Sequence, residues 1–282
     1  MSLHPAAPKG LDEHVEAIAQ TLQTISDLAH GARPADFALP TDCPGWSVQD
    51  VLAHVIGLEH YFATGENPDV PVAHLTHVGS PMAEFVERSV EARRGRSPEA
   101  ILEELDTLLP QAIAAMRDPA LTAEDRIVGL FGPTTRIAFL QTRLFDLWVH
   151  EQDLREALGR IGGQDTGGAA HFVRTLFAAL PMIVGKRTHV PTGHAVILEL
   201  TGPIEGRSGV LVADVDGSRR GLPLFTGEEH DHDPAATTTI RLSTQVAGRL
   251  GAGRRTRQEL HHDVHGDEAV AADVLDHLNL AP

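Results

Sequence analysis

The feature that most constrains this chain is a change of hydrophobic period across one glycine-rich segment. Up to about residue 158, apolar residues recur at three- and four-residue steps; beyond about residue 190 they alternate. Between the two stands Ile161-Gly162-Gly163-Gln164-Asp165-Thr166-Gly167-Gly168, in which four of eight residues are glycine. A period near 3.6 buries one stripe of a helix, and a period of two buries one face of a sheet. The chain is therefore expected to be α+β. Residues 1–160 form a helical bundle, 161–168 a linker and 169–282 a small α+β domain. With 282 residues there is enough chain for two cores.

Within the first part, Leu11, Val15, Ile18, Leu22, Ile25 and Leu28 predict a helix over residues 11–30. Pro34, Pro40 and Pro44 mark a loop. Ser47 followed by Asp50 is a helix-start signature, and His54 lies one turn further in. Further helices are expected over residues 81–94, from Ser97-Pro98 through Ile113, and from about Thr135 to Leu158, with Gly159 as the stop signal. The stretch around Gly132-Pro133 reads as a loop. In the second part a helix is expected near 169–184, strands at 194–200, 209–214 and 237–242, and helices at 244–252 and 268–279.

Charge excludes some function classes. There are 23 Lys plus Arg and 39 Asp plus Glu, a net charge of −16. Such a surface repels phosphate backbones and anionic lipid heads, so neither nucleic acid nor membrane is expected as a partner. The basic runs Arg93-Arg94-Gly95-Arg96 and Arg254-Arg255-Thr256-Arg257 do not overturn this, and the first reads as a solvated helix end. No apolar run is expected to approach the length of a transmembrane helix, and Met1 to Gly10 lacks the apolar core of a signal peptide. The single cysteine, Cys43, makes no internal disulfide, which fits a reducing compartment and a cytoplasmic location.

The chemistry concentrates on the last bundle helix. Asp146 and His150 are four apart and share one helix face, with Arg143 and Asp153 extending the stripe at three-residue steps. A carboxylate and an imidazole one turn apart can share a metal ion. A third ligand must then come from another helix, and His54 is the natural candidate. Three protein ligands would leave positions open, as in catalytic sites. Alone, the pattern is better described as a surface Asp–His pair and an unrelated helix histidine.

The segment Thr41-Asp42-Cys43-Pro44-Gly45-Trp46-Ser47-Val48-Gln49-Asp50-Val51-Leu52-Ala53-His54 resembles the opening motif of the mycothiol-dependent maleylpyruvate isomerase-like proteins, a branch of the DinB-like metalloenzymes. The run from Arg143 through Asp146, His150, Asp153, Ala157 and Leu158 is similar to that family's ligand helix, and Gly253-Arg254 with Gly266-Asp267 to its C-terminal signature. The resemblance runs from about residue 11 to the end. It implies a DinB-like four-helix bundle followed by a small α/β sterol-carrier-like domain. It also implies a divalent metal, commonly zinc, on His54, Asp146 and His150, and mycothiol as the thiol cofactor. Many relatives carry Glu where this chain has Asp146, one methylene shorter, so the metal must sit closer to the helix or bind through one oxygen. Arg254 matches an arginine the family uses for activity and cofactor binding, with Arg249 as its near rival.

The implied activity is a cis–trans isomerisation or thiol S-transfer in which a thiolate attacks an electrophilic carbon. A hydrolase using metal-bound water, or a non-catalytic binding protein, is the alternative. Arg143 and Arg254 could clamp a carboxylate, or Arg143 could pair with Asp146 or Asp153. The expected partners are a small electrophile and a low-molecular-weight thiol, and a homodimer is compatible with the pattern. Cys43 reads as a turn residue, Trp46 as a plug at the base of its helix and Glu228 to Asp233 as a solvated acidic loop.

Overall fold

A computed structural model of the chain describes residues 3–227 and 234–280; the acidic run from Glu228 to Asp233 lies outside the described residues. The chain divides into two compact units, Lys9–Gly162 and Met1–Pro8 with Gly163–Pro282. The architecture is α+β. Strand β1 (Leu3–His4) belongs to the second unit, where it pairs with Gly206 and Glu205. Residues 1–8, expected with the bundle, therefore group with the sheet. Their backbone groups are satisfied by a strand far along the chain, a pairing that local periodicity does not register.

The helical unit consists of α1 (Leu11–His30), α2 (Val48–Thr64), α3 (Pro81–Arg94), α4 (Pro98–Met116) and α5 (Arg136–Ala157). Helix α1 packs on α4 and α5, and α2 packs on the same two, closing a four-helix ring; α3 lies against α2. Ile18, Leu22 and Ile25 of α1 meet Leu52 and Ile56 of α2, Ile101 and Leu105 of α4, and Leu140 and Leu144 of α5 in one buried core. Cutting one such side chain to Ala typically costs about 2–5 kcal/mol. The start of α2 is a full capping box. Ser47 accepts from the Asp50 backbone N–H, and Asp50 accepts from the Ser47 N–H at 2.9 Å.

Two expectations change here. The first basic run is not a solvated helix end. Arg93 is 7% exposed and donates to Glu104, while Arg94 reaches Asp50 at 3.1 Å and Glu87 at 2.6 Å. The stretch around Gly132-Pro133 is a β-hairpin, β2 (Arg126–Gly129) paired with β3 (Gly132–Thr135). Its two turn residues, Leu130 and Phe131, are not turn formers, so the hairpin carries no local signal. Thr135 then caps α5, its hydroxyl accepting from the Ala138 N–H.

The second unit is built on α6 (Gly167–Met182), which widens into one π turn, Ile183–Arg187. It packs on a six-stranded sheet of order β1-β5-β4-β7-β8, with β6 also on β5. The strands are β4 (Ala195–Thr201), β5 (Glu205–Val215), β6 (Ser218–Leu224), β7 (Thr237–Leu242) and β8 (Asp263–His265). Among the described strands only β4 and β7 run parallel. Helices α7 (Thr244–Gly251) and α8 (Glu268–Asp276) complete the unit. The π turn lies so close to β6 that a Cβ on Gly185 would stand 2.3 Å from the Gly221 nitrogen, so glycine is required there. The expected linker ends early, because Thr166 caps α6 from Gly167. The expectation that no apolar run reaches transmembrane length also fails. Gly167–Arg187 is long and apolar enough by length and composition, but most of its apolar window is buried inside the protein.

Candidate metal centre

Helices α2 and α5 bring the site together. His54 projects from α2 and Asp146 and His150 from α5, and one ligand atom from each lies within 4.8 Å of the others. Among the described residues no other group of His, Cys, Asp and Glu converges in this way. The His54 and His150 Nε2 atoms each lie 3.5 Å from an Asp146 oxygen, Oδ2 and Oδ1 respectively. That is too long for good hydrogen bonds and is the spacing of donors arranged around a common centre. His54 is 4% exposed, yet neither of its ring nitrogens has a hydrogen-bond partner. A buried imidazole without partners is costly and needs an explanation, and a divalent cation between these three side chains supplies one. The donor set, two imidazoles and a carboxylate, suits zinc or a similar ion.

The surroundings orient these three side chains. His150 Nδ1 lies 3.1 Å from Oδ2 of the fully buried Asp153, which places the ring proton there and leaves the Nε2 lone pair facing the site. The Trp46 ring packs on both imidazoles, with centroids 4.9 Å from His54 and 5.6 Å from His150. Its Nε1 donates to Oε2 of buried Glu87 at 2.8 Å, so the indole is fixed as one wall of the site. The turn that presents Trp46 needs Gly45 at φ +79°, a left-handed position, and the Trp46 N–H closes it on the Cys43 carbonyl at 3.1 Å. Cys43 is half-buried against the core. Asp146 is the open member, with 31% of its side chain exposed.

Charge states follow from the packing. Burial pushes the His54 imidazole down to about 4, against the pull of Asp146, so it is neutral at pH 7. Burial would raise the Asp146 carboxyl, but His54 and His150 outweigh it and hold the group well below the usual carboxylate range. Burial would lower His150, but Asp146 and Asp153 outweigh it and raise this imidazole.

Arg143, on the same stripe of α5, is 2% exposed and turns inward to Glu59 and Asp146. Arg249 and Arg254 belong to the other compact unit. Arg249 is buried on α7, and Arg254 is half-buried just beyond it, with Nη1 donating to the Ala252 carbonyl at 3.3 Å. Sequence reasoning found the three converging side chains and missed Glu59 and Glu87. Both are buried glutamates on helices that read as ordinary amphipathic segments, and nothing in their spacing marks them.

Residues 18–155 match the sequence model of the mycothiol maleylpyruvate isomerase N-terminal domain. Uncharacterized proteins from two strains of Mycobacterium tuberculosis, CDC 1551 and H37Rv, are each 29% identical over 177 residues. Those alignments cover 60% of this chain and 66% of each relative, just under two thirds of the relatives' length. Crystal structures of a mycothiol-dependent maleylpyruvate isomerase and of its histidine-to-alanine mutant superpose with TM-score 0.52 at 19% identity, over 88% of this chain and 90% of theirs. At that identity the likeness speaks for the fold.

Proposed function

We propose that this chain, whose residues 18–155 match the mycothiol maleylpyruvate isomerase N-terminal domain, is a divalent-metal-dependent enzyme of that kind that uses mycothiol on an electrophilic small molecule. The observation that carries the reading is the convergence of His54, Asp146 and His150 around a point where both His54 ring nitrogens lack partners. These three would hold the ion, with zinc as the proposed metal. Bound there, a divalent cation lowers the pKa of a coordinated thiol, so that thiolate chemistry becomes available at neutral pH.

The chain's own residues prepare that chemistry. His54, neutral at pH 7, offers a lone pair without first losing a proton. Asp153 holds the His150 proton on Nδ1 and keeps Nε2 free to ligate. Trp46 keeps water from one side of the ligands, and the partly exposed Asp146 marks the side from which a thiol and substrate approach. Arg254, with Arg249 as its rival, is the proposed cation for an anionic group of cofactor or substrate. The reaction is a thiol-dependent cis–trans isomerisation or an S-transfer, and the proposed compartment is the cytoplasm.

The test pairs metal content with turnover. His54→Ala, Asp146→Ala and His150→Ala should each lower zinc retained after dialysis, because removal of one ligand leaves two protein anchors. Wild type should consume an electrophile such as maleylpyruvate or a bimane only with mycothiol present. Full metal content in all three variants would sink the site assignment, and turnover without thiol would point to a hydrolase.

A further inference from the structure

We propose that Glu59 and Arg143 form a buried strut that holds Asp146 as a single-oxygen metal ligand. This rests on the metal-centre reading above. Arg143 stands one turn before Asp146 on α5, and Glu59 stands on α2, the helix that carries His54. Both side chains are essentially inaccessible, at 2% and 1% exposure. The guanidinium is engaged at both ends. Nε donates to Glu59 Oε1 at 2.9 Å, Nη2 lies 2.8 Å from the same oxygen, and Nη1 donates to Asp146 Oδ2. One planar group therefore ties together the two helices that carry the ligand set.

The arrangement has a chemical consequence. Each Asp146 oxygen faces one imidazole at 3.5 Å, Oδ2 toward His54 and Oδ1 toward His150, but Oδ2 is also held by Arg143, which leaves Oδ1 as the oxygen with no guanidinium on it. Glu59 supplies the buried counter-charge of Arg143, so the guanidinium beside Asp146 is not an unpaired cation. A substrate carboxylate clamped by Arg143 would have to displace one of these partners. Displacing Glu59 would leave a carboxylate buried without its counter-charge. Arg143 is thus a positioning residue. The short Asp146 side chain fits this role, because a fixed guanidinium aims it at the ion where a longer carboxylate could adjust its own reach.

The experiment uses the full chain, stripped of metal and titrated with zinc against a chromophoric chelator and, separately, with cobalt(II) as a visible probe of ligand geometry. Glu59→Gln and Arg143→Lys keep size or charge but break the two-ended fork. Each should weaken zinc binding by on the order of 10-fold, and Arg143→Met by up to about 100-fold. Each should also change the cobalt visible band as Asp146 gains a second oxygen contact. Zinc affinity and cobalt bands like wild type in both Glu59→Gln and Arg143→Lys would overturn the strut. So would a loss confined to the melting temperature of the metal-free protein, which would make the trio a plain structural ion pair. If wild type and Asp146→Ala take up cobalt identically, the metal centre itself fails along with the strut.

Discussion

Replacing Trp46 by Phe separates the two jobs the indole performs. The ring packs over His54 and His150, and Nε1 donates to Glu87. Phe keeps an aromatic face and deletes the donor. Glu87 is 1% exposed; Trp46 Nε1 donates to it at 2.8 Å and Arg94 at 2.6 Å, while His77 Nε2 lies 3.1 Å away without a hydrogen bond. A hydrogen bond to a buried carboxylate contributes about 1.5–3 kcal/mol, and the remaining Arg94 pair places the loss at the lower end, about 1–2 kcal/mol. The smaller ring adds a partly collapsed cavity at a side chain only 8% exposed, costing about another 1–2 kcal/mol. The helical unit should therefore lose about 2–4 kcal/mol. The chain has two tryptophans, Trp46 and Trp148, both in that unit, so urea unfolding followed by Trp148 fluorescence reports the variant without interference from the second unit. Glu87→Gln alone and in combination completes a double-mutant cycle, in which the pair should couple by about 1 kcal/mol. A loss below about 0.5 kcal/mol for Trp46→Phe, the range of surface substitutions, would refute the view that the indole is anchored.

Three further outcomes are expected. Burial would raise the Glu104 carboxyl, but Arg93 and Arg96 outweigh it and lower it below 4.5, so its stabilisation is complete above that pH and is lost as pH falls through the lower folded value. Glu104→Gln should cost about 1–3 kcal/mol at pH 7, a buried-pair cost reduced because Glu104 is 24% exposed, and should flatten the acid limb of stability measured by urea midpoints at pH 3–7. Cys43→Ser should retain mycothiol-dependent turnover and zinc content; complete loss of turnover in folded, metal-loaded protein would make Cys43 the nucleophile. Arg254→Ala, or Arg249→Ala if the rival is correct, should leave zinc content unchanged and lower kcat/KM by about 2–4 kcal/mol, measured with mycothiol and a carboxylated electrophile.

The sequence by itself determined what depends on neighbours along the chain. The stripe of Leu11, Val15, Ile18, Leu22, Ile25 and Leu28 specifies α1, the Ser47–Asp50 pair specifies the start of α2, and the i, i+4 spacing puts Asp146 and His150 on one face. These features follow from helix periodicity and capping, which are local. Tertiary structure alone decided the rest. The meeting of His54 with the α5 pair, Arg143's commitment to Glu59 and the anchoring of Trp46 by Glu87 all depend on how separate helices pack. Likewise β1 joins a strand some 200 residues away by backbone hydrogen bonds, which Leu3 and His4 do not encode in any periodic pattern. Such pairings form because the fold brings distant segments side by side, and that proximity is a property of the fold rather than of either segment.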